Sequence, residues 1–261
     1  MKIPKGQRAY IIIVAILALI ALVGLYGKRH SQDSSSYSIQ ITVPNAQSRI
    51  FLDNKRKLIT SAPNQKVVLS GLDSRTYTVL VSKEGEYPWY KAVNLRDNHT
   101  ISLTTFSVAT ALPTMTIPKS DPKYQTIKTV IDKAVLPTQN TKRTSASNNV
   151  AIWVEPATNS IHAEWIGDPT LLPLYFCPLQ KCSPHIIFFS AKTPIHSVDF
   201  FRNRDDVVIV SVENSISALE LDLSPTQNYQ PIFTGGAPHF YQPESGILFI
   251  ESGGDLSVVR Y

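Results

Sequence analysis

Residues 75–95 read RTYTVLVSKEGEYPWYKAVNL. An alternating apolar strand runs into a Lys83-Glu84-Gly85 turn and leaves through Tyr87, Pro88, Trp89 and Tyr90. Three aromatics in four positions at a turn are either a platform for a ligand or the hem of a small β-domain. A flat ring such as Trp89, flanked by Tyr87 and Tyr90, suits the apolar face of a sugar. Pro88 at a strand start suits the other reading, in which alternate members pack inward and the rest cover an edge.

The surroundings decide for a β-domain. From Tyr37 to Thr105 the chain is short strands with period-two alternation, broken by turn residues. YSIQITV comes first, SRIFLD second, with NKRK read as the turn after it; KVVL, TYTVLVSK, YKAVNL and HTISLTT complete the set. Six strands in about 70 residues predict a small β-sandwich over 37–106, near the lower size for independent folding.

PNA at 44–46, IFLD at 50–53, SAP at 61–63, GL at 71–72 and YTVLVSKEGEYP at 77–88, in that order and spacing, resemble a PEGA domain. That family has a Pro-x-Ala turn, a strand ending in Asp-Gly, a Thr-Pro, then a strand running into Lys-x-Gly-Tyr. Here Asn54 replaces the Gly, Asp73-Ser74-Arg75 replaces a Pro-Gly turn, and Glu86 is inserted before Tyr87. Asn54 is a mild departure, because Asn also tolerates a left-handed backbone. The resemblance implies an immunoglobulin-like surface module without catalysis.

Residues 107–147 change character. Pro113, Pro118, Pro122 and Pro137 punctuate a Ser/Thr/Lys-rich stretch, which reads as a linker. Ile127, Val130, Ile131 and Ala134 share one helical face within it, enough for a short helix if it docks on something.

The last segment, 148–261, is β again and repeats loosely. VAIWVEPATNSIHAEWI, DVVIVSVENSISALELD and GILFIESGGDLSVVRY each read as strand, polar turn, strand, with Asn-Ser-Ile at 159–161 and again at 214–216. HSVDFFRNRDDVVIV has the same form between them. Together they resemble blades of a TolB-like or WD-repeat β-propeller. A closed ring needs at least four blades of about 40 residues, so the expectation is a partial, hairpin-repeat domain. Its exposed strand edges would invite oligomerisation. Alternation places Trp153 and Trp165 in the blade core, and Glu155, Glu164, Glu220 and Asp222 outward.

The N-terminal end fixes the expected setting. Lys2, Lys5 and Arg8 precede an uncharged run of 17 residues, Tyr10 to Tyr26, which Lys28 and Arg29 close. Such a run reaches about 25 Å, at the short end for a membrane span. Leu25 and Gly27 fit poorly before a signal-peptidase cut, which favours an uncleaved anchor over 1–30. The basic residues ahead of it place the N-terminus in the cytoplasm. Residues 31–36 then form a stalk, with the β-domains outside the cytoplasm. The formal charge of +5 is membrane flank and linker: residues 1–30 carry +5 and 147–261 carry −7. No folded basic face is visible, so nucleic acid is not expected as a partner.

Cys177 and Cys182, in YFCPLQKCSPH, are spaced for a small disulfide loop, which suits an oxidising compartment. The histidines form no paired motif, so no metal is expected, and phosphate-cradling glycine loops and nucleophile motifs are missing from the sequence. Asp205-Asp206 read as solvated residues of a hairpin turn. The expected function is therefore non-catalytic and cofactor-free: a single-pass bacterial envelope protein used for display, adhesion or scaffolding, with an envelope protein or a cell-wall glycan as partner. The alternative is a carbohydrate- or peptidoglycan-binding accessory module using Tyr87, Trp89 and Tyr90.

Overall fold

The computed structural model describes residues 37–96, 100–134, 136–177 and 181–261. The anchor and stalk expected at 1–36 lie outside these residues. Among the described residues no helix is long and apolar enough to cross a membrane. The fold is mainly β, with nineteen strands in five sheets and one α-helix among the described residues.

The stretch at 75–95 becomes a hairpin. β5 (Thr76–Ser82) pairs antiparallel with β6 (Trp89–Asn94), Val81 opposite Trp89 and Tyr77 opposite Val93. The Lys-Glu-Gly turn needs a left-handed residue, and Gly85 supplies it at φ 75°. β5 also pairs with β2 (Arg49–Leu52), which turns into β3 (Lys55–Ile59) through Asp53 and Asn54 at φ 49° and 62°. Most of NKRK is thus strand rather than turn. All five residues of β3 are exposed, so no alternation marks it in the sequence.

The facing sheet has the order β4 (Gln65–Leu72), β1 (Tyr37–Val43), β7 (Thr100–Thr104). β1 runs antiparallel to β4 and parallel to β7. Every second residue of each sheet points into one core, where Ile39, Ile41 and Val43 meet Ile50, Val79, Val81 and Trp89.

The segment expected as a linker is built into the C-terminal sheets. β8 (Thr114–Ile117), α1 (Tyr124–Asp132) and β9 (Arg143–Thr144) all lie within it. The remaining strands are β10 (Val150–Glu155), β11 (Ser160–Trp165), β12 (His185–Ser190), β13 (Ile195–Phe200), β14 (Val207–Val212), β15 (Ser215–Glu220), β16 (Tyr229–Thr234), β17 (His239–Glu244), β18 (Ile247–Ser252) and β19 (Asp255–Arg260). They form three four-stranded antiparallel sheets: β9 to β12, β13 to β16, and β17 to β19 completed by β8. The three repeated hairpins of the sequence are the central pairs β10–β11, β14–β15 and β18–β19.

The three sheets stack face to face. Val150, Ile152 and Ile161 of the first share a core with Val208, Val210 and Leu219 of the second. The second sheet's other face, Val207, Ile209 and Ile216, meets Leu248, Ile250 and Val259 of the third. A strand buried on both faces reads as a continuous apolar run, which is why β14 is VVIVSV. The far face of the third sheet is capped by α1, whose Tyr124, Ile127 and Ile131 sit on Leu256, Ile117 and Phe249. The far face of the first carries Trp153 against the rings of His162 and His185, each 5.1 Å away. Trp153 is thus buried, as the alternation predicted, but on the face away from the core shared with the second sheet, whereas Trp165 is partly buried and packs edge-on to Phe176 against that core.

Candidate functional site

The aromatic turn sits at the joint between the two-sheet unit and the three-sheet stack. Trp89 is 1 % exposed, and its Nε1 donates to Glu220 Oε1 at 3.3 Å. Two residues on, Lys91 is 2 % exposed; its Nζ donates to Glu220 Oε2 at 2.8 Å and lies 3.1 Å from Asp222 Oδ2. Asn228 completes the group: its Nδ2 donates to Glu220 Oε2 at 2.9 Å and to Tyr90 O at 3.0 Å, while its Oδ1 accepts from Tyr90 N at 2.9 Å. Ala92 N donates to Pro225 O at 2.9 Å. Gln230 adds a second tie, accepting from Val108 N at 2.7 Å and donating to Phe106 O at 3.4 Å.

Tyr87, Trp89 and Tyr90 therefore form no open platform. Tyr87 packs half-buried against the core, Trp89 is covered by the second sheet of the stack, and only Tyr90 is exposed, at 37 %. Glu220 corrects a second expectation, since it is buried rather than outward. Burial pushes its carboxyl up, and Lys91 followed by Asn228 pull it back. A readable signal existed: alternation along WYKAVN puts Lys91 on the inward side with Trp89 and Val93. A lysine on an apolar face calls for a buried anion.

Beside this joint opens a cleft of about 710 Å³. One wall is the two-sheet unit, with Asn45, Asn64, Thr104, Phe106 and Ser107. The other is the β13–β14 turn, Phe201 to Asp206, with Ser147 and Tyr175. Arg204 N donates to Phe201 O at 2.9 Å, closing a turn whose central residues, Arg202 and Asn203, sit at φ 47° and 58°. Such turns favour Asn-Gly, so an arginine there is held against its own preference.

Arg204 is a clamp across the cleft's inner end. It makes paired bonds of 2.7 and 2.6 Å to Asp206 and reaches the carbonyls of Thr105 and Thr104 at 2.5 and 2.9 Å. Asp205 accepts from Ser147 Oγ at 2.7 Å. Asn45 Nδ2 donates to Ser107 Oγ at 2.9 Å and to Glu86 Oε2 at 2.8 Å. Burial opposes ionisation of Glu86, but bonds from Ser107, Lys83 and Asn45 hold its carboxyl below the usual range. The residue inserted before Tyr87 thus ties the aromatic turn to the Pro44–Asn45 turn. Asp205 and Asp206 lie in a hairpin turn, as the sequence suggested, yet they line a cleft and are bonded. The cleft needs the two-sheet unit as its other wall, whereas the Arg204–Asp206 pair is local to the turn.

Cys177 and Cys182 are joined as a disulfide after Phe176. The histidines pair through space rather than in sequence: His162 Nδ1 lies 2.9 Å from His185 Nε2, and the rings of His196 and His239 are 4.9 Å apart. Among the described residues no group of three or more His, Cys, Asp or Glu is placed to hold a metal ion.

No protein-family model matches the chain, and no curated protein matches it. Among solved structures, the chain is similar at 11 % identity to a Bacteroides fragilis NCTC 9343 protein of unknown function, described as membrane-associated. That match covers 87 % of this chain and 98 % of the other with a TM-score of 0.21, too low to carry an argument about fold or function.

Proposed function

We propose that this chain is a non-catalytic, single-pass envelope protein whose β-domains form one extracytoplasmic head that recognises and scaffolds a partner. In this reading the two-sheet unit is a PEGA-like module and the three-sheet stack is a partial propeller. The left-handed Asp53-Asn54 and Gly85 turns support the first, and the repeated four-stranded meanders support the second. The observation that carries the reading is the buried Lys91–Glu220–Asn228 joint, which fuses two modules into one body with a cleft at their seam. Both aspartates of that cleft are engaged by neighbours, Asp206 by Arg204 and Asp205 by Ser147, which suits recognition better than proton transfer. The glycan-stacking alternative loses its central ring, because Trp89 is buried in the joint.

The test is topology in cells. The full chain is expected in the membrane pellet after a high-salt wash, with residue 1 retained. Protease added to spheroplasts should remove residues 37–261. Protection until the cells are lysed, or release with a new N-terminus near residue 28, would overturn the placement.

A further inference from the structure

We propose that the cleft at the seam binds the free carboxylate of a peptide through Arg202. The proposal rests on the recognition reading above and names its ligand class. Most charged and amide groups of the cleft already have partners. Arg204 is taken by Asp206 and two carbonyls, Asp205 by Ser147, and the Asn45 amide nitrogen by Glu86 and Ser107. Arg202 differs. Its guanidinium lies 5.1 and 5.5 Å from the ring centroids of Phe201 and Tyr261, and it has no carboxylate partner among the described residues. It lines a cleft of about 710 Å³ from the tip of a turn that holds it left-handed against its preference, and is partly open to solvent.

The remaining surface selects the ligand. Two guanidiniums and two carboxylates line the cleft, and the Glu86 carboxylate beside it also acts on Arg202, so a multiply charged anion gains little there. One unpaired guanidinium matches one carboxylate, whose two oxygens meet its parallel N–H groups. Among the described residues, the lining side-chain amides of Asn64 and Asn203 have no hydrogen-bond partner and suit peptide N–H and C=O groups. A pyranose would want a bare ring to stack on, but Phe106 and Phe201 are 2 % and 1 % exposed, which leaves it the half-buried Tyr175. The geometry therefore favours a peptide terminus over an acidic sugar.

The test uses the full chain in detergent, titrated by calorimetry with acetyl-Ala-Ala, its C-terminal amide, and glucuronic acid. Binding of the acid about tenfold tighter than the amide or glucuronic acid is expected. Arg202→Gln should weaken the acid by about tenfold and leave the amide unchanged. Arg202→Lys, which keeps the positive charge but loses the parallel N–H pair, should retain more of the acid binding than Arg202→Gln and controls for folding, with the melting temperature of each variant recorded. Equal binding of acid and amide, no binding of either, or an unchanged affinity in Arg202→Gln would overturn the proposal. Tighter binding of glucuronic acid would overturn it in favour of a glycan. A chain that sits in the envelope yet ignores the peptide sinks this inference alone; one found outside the envelope sinks the parent reading.

Discussion

Lys91 shows how much one side chain can decide. A buried ion pair contributes little net stability against its desolvation, but removing one partner strands the other, at about 3–5 kcal/mol. Lys91→Met keeps the aliphatic stem and removes the charge, leaving Glu220 with Trp89 and Asn228 as donors and Asp222 as an unfavourable neighbour. We expect a loss of about 3 kcal/mol or more at neutral pH. The sign with pH comes from the direction of the shift. Burial already raises the Glu220 carboxyl above its ordinary 4.5, and without Lys91 it rises further. A carboxyl raised in the folded state binds its proton more tightly there, so the penalty is absent below 4.5 and grows as pH rises through the folded value. Lys91→Met should therefore be closer to wild type at pH 5 than at pH 8 in urea melts. An equal deficit at both would show that the loss is packing rather than stranded charge.

At the scale of elements, the sequence marks what it buries and hides what it exposes. β1 and the hairpin β5–β6 were readable because Ile39 and Ile41 alternate with polar residues and Tyr77, Val79 and Val81 fall at every second position. β14 was readable as a continuous apolar run. β3 was not, since KRKLI has no inward face. β8 was missed for a different reason: TMTI gains its meaning from pairing with β19, which lies about 140 residues further on, and no local pattern reports that. The seam cleft is hidden for the same cause, as its walls come from turns distant in sequence. The helical face was legible, with two adjustments: Ile127 and Ile131 dock on the third sheet, whereas Val130 faces outward at 37 % exposure and Ala134 lies exposed beyond the helix end. This separates two neighbouring substitutions. Ile131→Ala removes a buried side chain and should cost about 2–3 kcal/mol, while Val130→Ala should stay within about 0.5 kcal/mol. Chemical denaturation of the two variants checks it; equal effects would mean that α1 is not docked.

For the whole molecule, the open stack of three sheets raises the question of what stops it from adding a fourth. A closed ring has no end faces, and an open one leaves two sheets with an unpartnered side. Here α1 covers one end and the Trp153–His162–His185 stack occupies the other, while the two-sheet unit fills the seam beside Glu220 and Gln230. β8, α1 and the two-sheet unit all precede residue 148, so the boundary that composition suggests cuts through the fold. A fragment beginning at Asn148 would lose β8 and expose the edge of β19, uncover Leu256 and Phe249, and leave Glu220 without its lysine. A fragment beginning near Thr110 would keep β8 and α1 but still strand Glu220. The expected order of stability is residues 37–261, then 110–261, then 148–261, with the first monomeric on size exclusion and the last self-associating. If 148–261 ran as a clean monomer as stable as 37–261, the segment before it would be a tether after all, and the single fused head would be lost with it.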